Sequence, residues 1–362
     1  MGLSVGIAGL PNVGKSTLLN ALTHAGAEAS NYPFCTIDRN LGTAQVPDPD
    51  LDRLKRLLSP KEALPATVAF VDIAGLVAGA SKGEGLGNKF LGHIREADAI
   101  LHVVRCFEDA NVVHASGSPD PVRDVSIVET EFLLADLDLA SRARSKLAQA
   151  AKSGKAADKE REAAMEKLVE GLREGIPVSR IRLHDREPEL LAEHRFLTAK
   201  PCLYLANTGE DDPGGQGALP RALKEAKGAD CVLALSVRIE EEISLLSGEE
   251  EAQFRKELGL PVTALEQVVA ACYRLLDLIT FYTIANDKLR GWPIRRGSTA
   301  AEAAGKVHSD MEHGFIRAEV MSLENLTRYG SRHALHEHGL VHTVARDHPV
   351  EDKDVLQFHF KV

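Results

Sequence analysis

Residues 9–16 read GLPNVGKS, and the reading of this stretch decides the fold. An apolar run from Leu3 to Ala8 enters it, and Leu18, Leu19 and Leu22 leave it at helical spacing. A short strand, a GxxxxGK[ST] loop and an amphipathic helix, in that order, predict a phosphate-binding loop. The glycines let the backbone wrap a polyphosphate with its N–H groups, and the helix N-terminus adds a favourable dipole. Asn12, Val13, Gly14, Lys15, Ser16 and Thr17 are the candidate ligand-binding residues. Lys15 would reach the β- and γ-phosphates and serve catalysis, and the Ser16 hydroxyl would ligate Mg²⁺. The expected frame is an α/β fold with a mostly parallel sheet and the ligand at the strand C-terminal ends.

Working outward, the next signals follow the order of a nucleotide switch. Asn31 to Thr36 forms a polar turn whose Thr36 offers a hydroxyl for Mg²⁺ and an N–H for the γ-phosphate. The strand from Thr67 to Val71 runs into Asp72-Ile73-Ala74-Gly75. Asp72 at a strand end suits support of Mg²⁺, and the Gly75 N–H suits a γ-phosphate contact. Five glycines between Gly75 and Gly87 read as a segment that orders when the γ-phosphate is present.

Leu76 stands where Ras-like switches carry a water-orienting Gln, and it cannot hydrogen-bond water. Either hydrolysis is slow or another group positions the nucleophile. Asn12 is one candidate, offering an oxygen to a monovalent cation such as K⁺ beside the phosphates. His114, in the loop after the strand Ile100 to Arg105, is another, as a group that orients or deprotonates water. The alternative for His114 is a solvated loop side chain.

On the base side, an apolar run ends in Asn207-Thr208-Gly209-Glu210. A guanine reader of the Ras type carries Asn-Lys-x-Asp there, and its Asp accepts from guanine N1–H and the N2 amine. Adenine has neither donor. Glu210 is one methylene longer, and Thr208 removes the Lys. Guanine discrimination is lost, with at most a modest gain for adenine, and the residues alone leave ATP and GTP near even. Asn207 and Thr208 are the base-contacting candidates. Ser236, after the strand Cys231 to Leu235, either lies under the base or caps the helix that follows.

The chain has 362 residues, enough for two or three domains, with 44% hydrophobic and 27% charged residues. A net charge of −10 argues against a general polyanion binder but leaves room for local basic patches. Five scattered cysteines form no CxxC pair, so a zinc ribbon is not expected. No secretory signal and no apolar run near the ~20 residues of a membrane span is present. The expectation is a soluble, cytoplasmic protein, monomeric by default, with no membrane partner.

From about Ser126 to Leu197 the strand pattern gives way to Ala, Leu, Glu, Lys and Arg. Leu133, Leu137, Ala140 and Leu147, then Met165, Leu168, Leu172 and Ile176, lie near helical spacing. This predicts an inserted antiparallel helical hairpin whose tip, Lys152 to Lys155, either contacts RNA phosphate or is simply solvated. Residues 279–362 balance eleven basic against eleven acidic residues and hold eight of the fourteen histidines. Short strands at Gly314 to Val320 and Val355 to Val362, with a helix capped near Ser298 to Glu302, predict a small β-grasp-like fold. Arg290, Trp292, Arg295 and Arg296 suit stacking on an unpaired base, or the Trp belongs to the core.

Taken together, GLPNVGKST (9–17), NYPFCTID (31–38), FVDIAGLVAGASKGEGLGNKFL (70–91), IREADAILHVVRCFED (94–109), the NxxE at 207–210 and AAGKVHSDMEHGFIRAEV (303–320) resemble the Obg-like ATPase (YchF) family over essentially the whole chain. The resemblance implies a translation-factor-type P-loop NTPase domain (1–125 and 198–278), an inserted helical arm (126–197) and a C-terminal TGS domain (279–362). It also implies ATP hydrolysis with Mg²⁺, with GTP weaker or comparable, and association with ribosomes and their RNA. Ser16 and Thr36 match the family's Mg²⁺ ligands, Leu76 its replacement of Gln, and Asn207 and Thr208 its base-contacting turn. The chain departs at Trp292-Pro293, where relatives tend to have Trp-Thr-Ile, and Pro removes a strand donor. Three functions stay in view: an ATP-hydrolysing ribosome switch, a GTPase of the same fold, and a nucleotide-regulated interaction protein with negligible turnover.

Overall fold

The computed structural model describes residues 3–24, 41–72, 86–152, 155–184, 186–260 and 264–361. The chain divides into two compact units. The described residues of the first are 3–24, 41–42, 70–72 and 86–264, apart from the gaps given above; those of the second are 43–69 and 265–361. Thr36, Gly75 and Leu76 lie outside the described residues.

The chain runs through β1 (Ser4–Ala8), α1 (Lys15–His24), β2 (Leu41–Gln45), α2 (Pro49–Leu58), β3 (Glu62–Leu64), β4 (Thr67–Asp72), α3 (Leu86–Glu96) and β5 (Ala99–Cys106). Then come α4 (Pro121–Ala151), α5 (Ala156–Arg173), α6 (Glu187–Leu191), β6 (Cys202–Thr208), α7 (Ala218–Lys227), β7 (Val232–Leu235), α8 (Val237–Ile243), α9 (Gly248–Glu257) and α10 (Ala264–Leu275).

One six-stranded sheet has the order β2-β4-β1-β5-β6-β7. β1 pairs in parallel with β5, β5 with β6, and β6 with β7. β5 reads AILHVVRC and all eight residues are buried, as expected of a central parallel strand covered on both faces. The chain crosses from β4 to β5 past β1, so the order reverses there, and ligands of open α/β sheets bind outside the strand ends at such a point. The loop at 9–14 and the segment after β5 both open at that end.

The helical hairpin is formed by α4 and α5. It starts earlier than the composition change suggests: Asp120 caps α4 by accepting from Arg123 N, and Pro121 occupies the first turn, both favourable there. Ala140, Ala143, Met165, Leu168, Leu172 and Phe196 belong to its buried core, with Leu133, Leu137 and Leu147 packed against it. Ile176, expected on the apolar stripe, is instead 36% exposed, because α5 has ended at Arg173. Asp136, fully buried on α4, accepts from Leu197 N, Thr198 N, Thr198 Oγ1 and Arg95 Nη1 at 2.8–3.0 Å. It ties the helix to the segment returning toward β6.

The second unit carries β8 (Leu278–Ala285), β9 (Lys288–Arg295), α11 (Ala300–Val307), α12 (Ser309–His313), β10 (Phe315–Ser322), α13 (Leu323–Tyr329), α14 (Arg332–Glu337), β11 (His342–Val344) and β12 (Asp354–Phe360). Its sheet has the order β11-β10-β12-β8-β9-β3. Leu51 and Leu54 of α2 share a core with Tyr282, Leu289, Met321 and Val355. Thr299 caps α11 through a reciprocal capping box with Glu302. Pro293 sits in β9 opposite Thr280, and β3 pairs with β9 only from Lys288 to Arg290. The proline therefore lies past the end of β3, where no further strand asks for its missing N–H. The Trp292 Nε1–H donates to Thr283 Oγ1 at 2.9 Å, and the Arg290 guanidinium covers its ring at 3.9 Å.

Candidate nucleotide-binding site

The loop after β1 takes backbone shapes that its sequence permits. Asn12 has φ 60°, and Gly14 has φ 97°. A Cβ on Gly14 would stand 2.4 Å from Asn207 Nδ2, so this glycine is required both by its torsion and by the approach of β6. Asn207 is buried and spends both ends of its amide on the protein. Nδ2 donates to Val13 O at 2.9 Å, and Oδ1 accepts from Val237 N at 3.0 Å. One side chain thus joins the phosphate loop, the end of β6 and the start of α8. An amide nitrogen has two hydrogens, so one remains for a ligand acceptor.

Lys15 is 7% exposed, and its Nζ donates to Leu10 O at 2.9 Å. Burial pushes its pKa down to about 8, against a smaller upward pull from Asp72. Ser16 Oγ donates to Asp72 Oδ2 at 2.7 Å, which joins α1 to the end of β4. Asp72 Oδ1 is buried with no hydrogen-bond partner. An orphaned carboxylate oxygen beside a hydroxyl is the oxygen donor set that a hard divalent cation takes, so these residues fit Mg²⁺. No cluster of three or more His, Cys, Asp or Glu side chains suited to a metal occurs among the described residues.

A cavity of about 620 Å³ opens beside the loop, lined among others by Asn12, Gly14, Thr17, Phe107, Thr208 and Ser236. Thr208 and Ser236 are each 2% exposed, and neither hydroxyl has a hydrogen-bond partner. Ser236 occupies the N-cap position of α8 but makes no side-chain cap bond. Two buried hydroxyls facing a cavity are ready to bond a polar ligand. The structure therefore gathers Asn12 to Thr17, Asp72, Asn207, Thr208 and Ser236 at one end of the sheet.

His114 is 8% exposed rather than solvated. Its Nε2 bonds Asp124 Oδ2 at 2.9 Å, and its Nδ1 accepts from Ser116 N at 3.0 Å. With Nδ1 accepting, the ring donates from Nε2. Direct action of His114 on a water requires one of these bonds to open. The neighbouring Val113 carbonyl accepts from Asn12 Nδ2 at 3.1 Å, so the His114 loop touches the phosphate loop through the backbone.

Known proteins resemble this chain over its whole length. A family model described as a 50S ribosome-binding GTPase matches residues 4–132, and the YchF-GTPase C-terminal model, described as a protein of unknown function, matches residues 278–361. The chain is 45% identical to a Haemophilus influenzae protein and 43% identical to a Bacillus subtilis protein, both named ribosome-binding ATPase YchF, with 100% of each chain covered. The chain belongs to the YchF family. A solved YchF GTPase from Schizosaccharomyces pombe superposes with a TM-score of 0.87 at 35% identity, over 99% of this chain and 97% of that one. The YchF fold here is therefore a P-loop GTPase-type domain plus the YchF C-terminal domain.

The geometry adds to this YchF site three residues that sequence reasoning passed over. Arg105, 2% exposed, donates to the carbonyls of Phe107, Asp109 and Val112 at 2.9–3.2 Å and shapes the cavity wall they form. A charged residue near the end of an otherwise apolar strand was its signal. Asp124 holds His114 and also accepts from Arg123. Arg238 pairs with Glu210 on the cavity wall, and no local pattern announces the pairing.

Proposed function

We propose that the protein is an ATP-binding and ATP-hydrolysing switch that associates with ribosomes according to its nucleotide state, acting as a cytoplasmic monomer. The observation that carries this reading is the junction of Gly14, Asn207 and the unpartnered hydroxyls of Thr208 and Ser236, which joins a phosphate loop to a base-side cavity. The ribosome enters through relatives named ribosome-binding ATPases. No described helix is long and apolar enough to cross a membrane.

In this reading the backbone from Asn12 to Thr17 cradles the phosphates, and Lys15 turns from Leu10 O to the β- and γ-phosphates. Ser16 and Asp72, with Thr36, would hold Mg²⁺, which supplies charge neutralisation at the phosphate oxygens when bound. Gly75 contributes its N–H at the γ-phosphate. Asn12 offers an amide oxygen to K⁺, and His114 orients the attacking water once released from Ser116 N or Asp124. Asn207 contacts the purine through its remaining N–H. Leu76 contributes no hydrogen bond, so intrinsic turnover is slow.

Competition binding of ATP and GTP to nucleotide-free protein, with phosphate release measured with and without ribosomes, tests the proposal. Tighter ATP binding and ribosome-dependent release are expected. Equal ribosome co-sedimentation of the nucleotide-free and ATP forms would sink the switch. A GTPase is the second reading, favoured by the acid retained at Glu210 and by the Schizosaccharomyces pombe relative described as a GTPase. Tighter GTP binding would install it.

A further inference from the structure

Glu210 and Arg238 are paired on the wall of the base-side cavity. Glu210 stands two residues past β6, and Arg238 stands in the first turn of α8. Arg238 Nε lies 3.0 Å from Glu210 Oε1 and 3.5 Å from Glu242 Oε1. Among the described residues lining the cavity, Arg238 is the single cation, against the six carboxylates of Glu108, Asp109, Glu210, Asp211, Glu241 and Glu242.

We propose that Arg238 is a specificity-determining positioning residue: by pairing with Glu210 it withholds that carboxylate from the purine edge and shifts the preference from guanine to adenine. The proposal rests on the nucleotide-binding reading above. Guanine presents N1–H and N2–H donors and an O6 acceptor, whereas adenine presents an N6 amine and an N1 acceptor. An unpaired carboxylate at position 210 rewards the guanine donors and repels adenine N1. With Oε1 on Arg238, its charge is offset and its side chain drawn toward α8.

The neighbouring groups agree. The Val237 N–H, beside Arg238, donates to Asn207 Oδ1 and so is spent within the protein rather than on guanine O6. The buried Thr208 and Ser236 hydroxyls both donate and accept, so they can bond either purine edge and leave the discrimination to position 210. Both charged side chains are more than half exposed, so water and salt weaken the pair and its effect is modest.

Dissociation constants for ATP and GTP, measured by competition against a fluorescent nucleotide at low salt, test this on the full chain. Arg238→Ala is expected to shift the ATP-to-GTP ratio toward GTP by about two- to fivefold. Arg238→Lys keeps most of the parental ratio, and Arg238→Ala adds no shift in a Glu210→Gln background. A parental ratio in Arg238→Ala, or an equal shift in the Glu210→Gln background, overturns the proposal. Failure of the parent protein to bind either nucleotide instead overturns the nucleotide-binding reading, and this inference with it.

Discussion

Asn207 donates to the Val13 carbonyl at 2.9 Å and accepts from the Val237 backbone N–H at 3.0 Å. The residue expected to read the base is also the joint between the phosphate loop and α8. Asn207→Ala removes both bonds and leaves a buried N–H and C=O unpaired. Each such orphan costs about 1–3 kcal/mol. Calorimetric titration should find ATP and GTP weakened alike, by about tenfold or more, with a lowered melting temperature. Discrimination lost without any change in stability would contradict a joint.

Gly14→Ala meets the same joint from the other side. The new Cβ would lie 2.4 Å from Asn207 Nδ2, at a torsion that L-residues rarely adopt. Relief requires the loop or Asn207 to move, and strained backbone of this kind costs about 1–3 kcal/mol. Nucleotide affinity should fall by about five- to a hundredfold in a fluorescence titration while circular dichroism reports a folded chain. Parental affinity would mean the loop yields freely.

Lys15 gives the site a pH dependence with a definite sign. Its folded pKa of about 8 lies below the ordinary value of 10.5. Below about pH 8 the buried lysine is charged in both folded and unfolded chains, and its full desolvation cost stands. Between about 8 and 10.5 the unfolded chain binds the extra proton, so folded stability rises relative to Lys15→Met, by up to about 1.4 kcal/mol per pH unit. Affinity for ATP moves the opposite way, because phosphates require the protonated amine, and should fall as pH climbs past 8. Denaturant melts and titrations at pH 7, 8 and 9 check both slopes.

Asp72→Asn separates the carboxylate charge from its hydrogen bond. The amide still accepts from Ser16 Oγ through its oxygen, but the orphaned anionic oxygen is gone. The Mg²⁺ concentration that half-saturates the enhancement of ATP binding should rise by roughly 10–100-fold. ATP affinity measured in EDTA should change far less. An unchanged Mg²⁺ requirement would remove Asp72 from the metal site.

His114→Ala tests the water-orienting role. Single-turnover hydrolysis should slow by about 100-fold or more, while ATP affinity moves only a few-fold. A parental rate would leave His114 as a structural link between Asp124 and the Ser116 backbone.

Much of this architecture was legible in the sequence because local constraints are strict. A GxxxxGKS loop between a strand and a helix leaves few alternatives, and the Ala- and Leu-rich hairpin carries its own period. The segment with α2 and β3 was not legible. Glu62, Ala63 and Leu64 are three residues of intermediate burial with no alternation to read, and their pairing with β9 spans over 200 residues of sequence. Pro293 looked like an objection to its strand until β3 proved to stop at the position opposite Arg290. His114 read more readily as a solvated loop side chain than as a catalytic one, because the Asp120-Pro121 start of α4 went unread and with it the nearby partner Asp124. The Arg238–Glu210 pair depends on two strand ends meeting, which no spacing encodes.

The 31 residues of α4 form a rod of about 46 Å. Asp124 couples its root to the loop that touches Asn12, and Asp136 pins it part-way along. About 18 Å of helix lies between Asp124 and Asp136, and about 22 Å between Asp136 and Ala151. Asp136 thus divides the rod into two nearly equal lengths, of which the root half buries Val125, Val128, Phe132 and Ala135. The length beyond Asp136 packs on the hairpin's own core of Ala140, Ala143, Met165, Leu168 and Leu172, so the tip stands on helix against helix and not on the sheet.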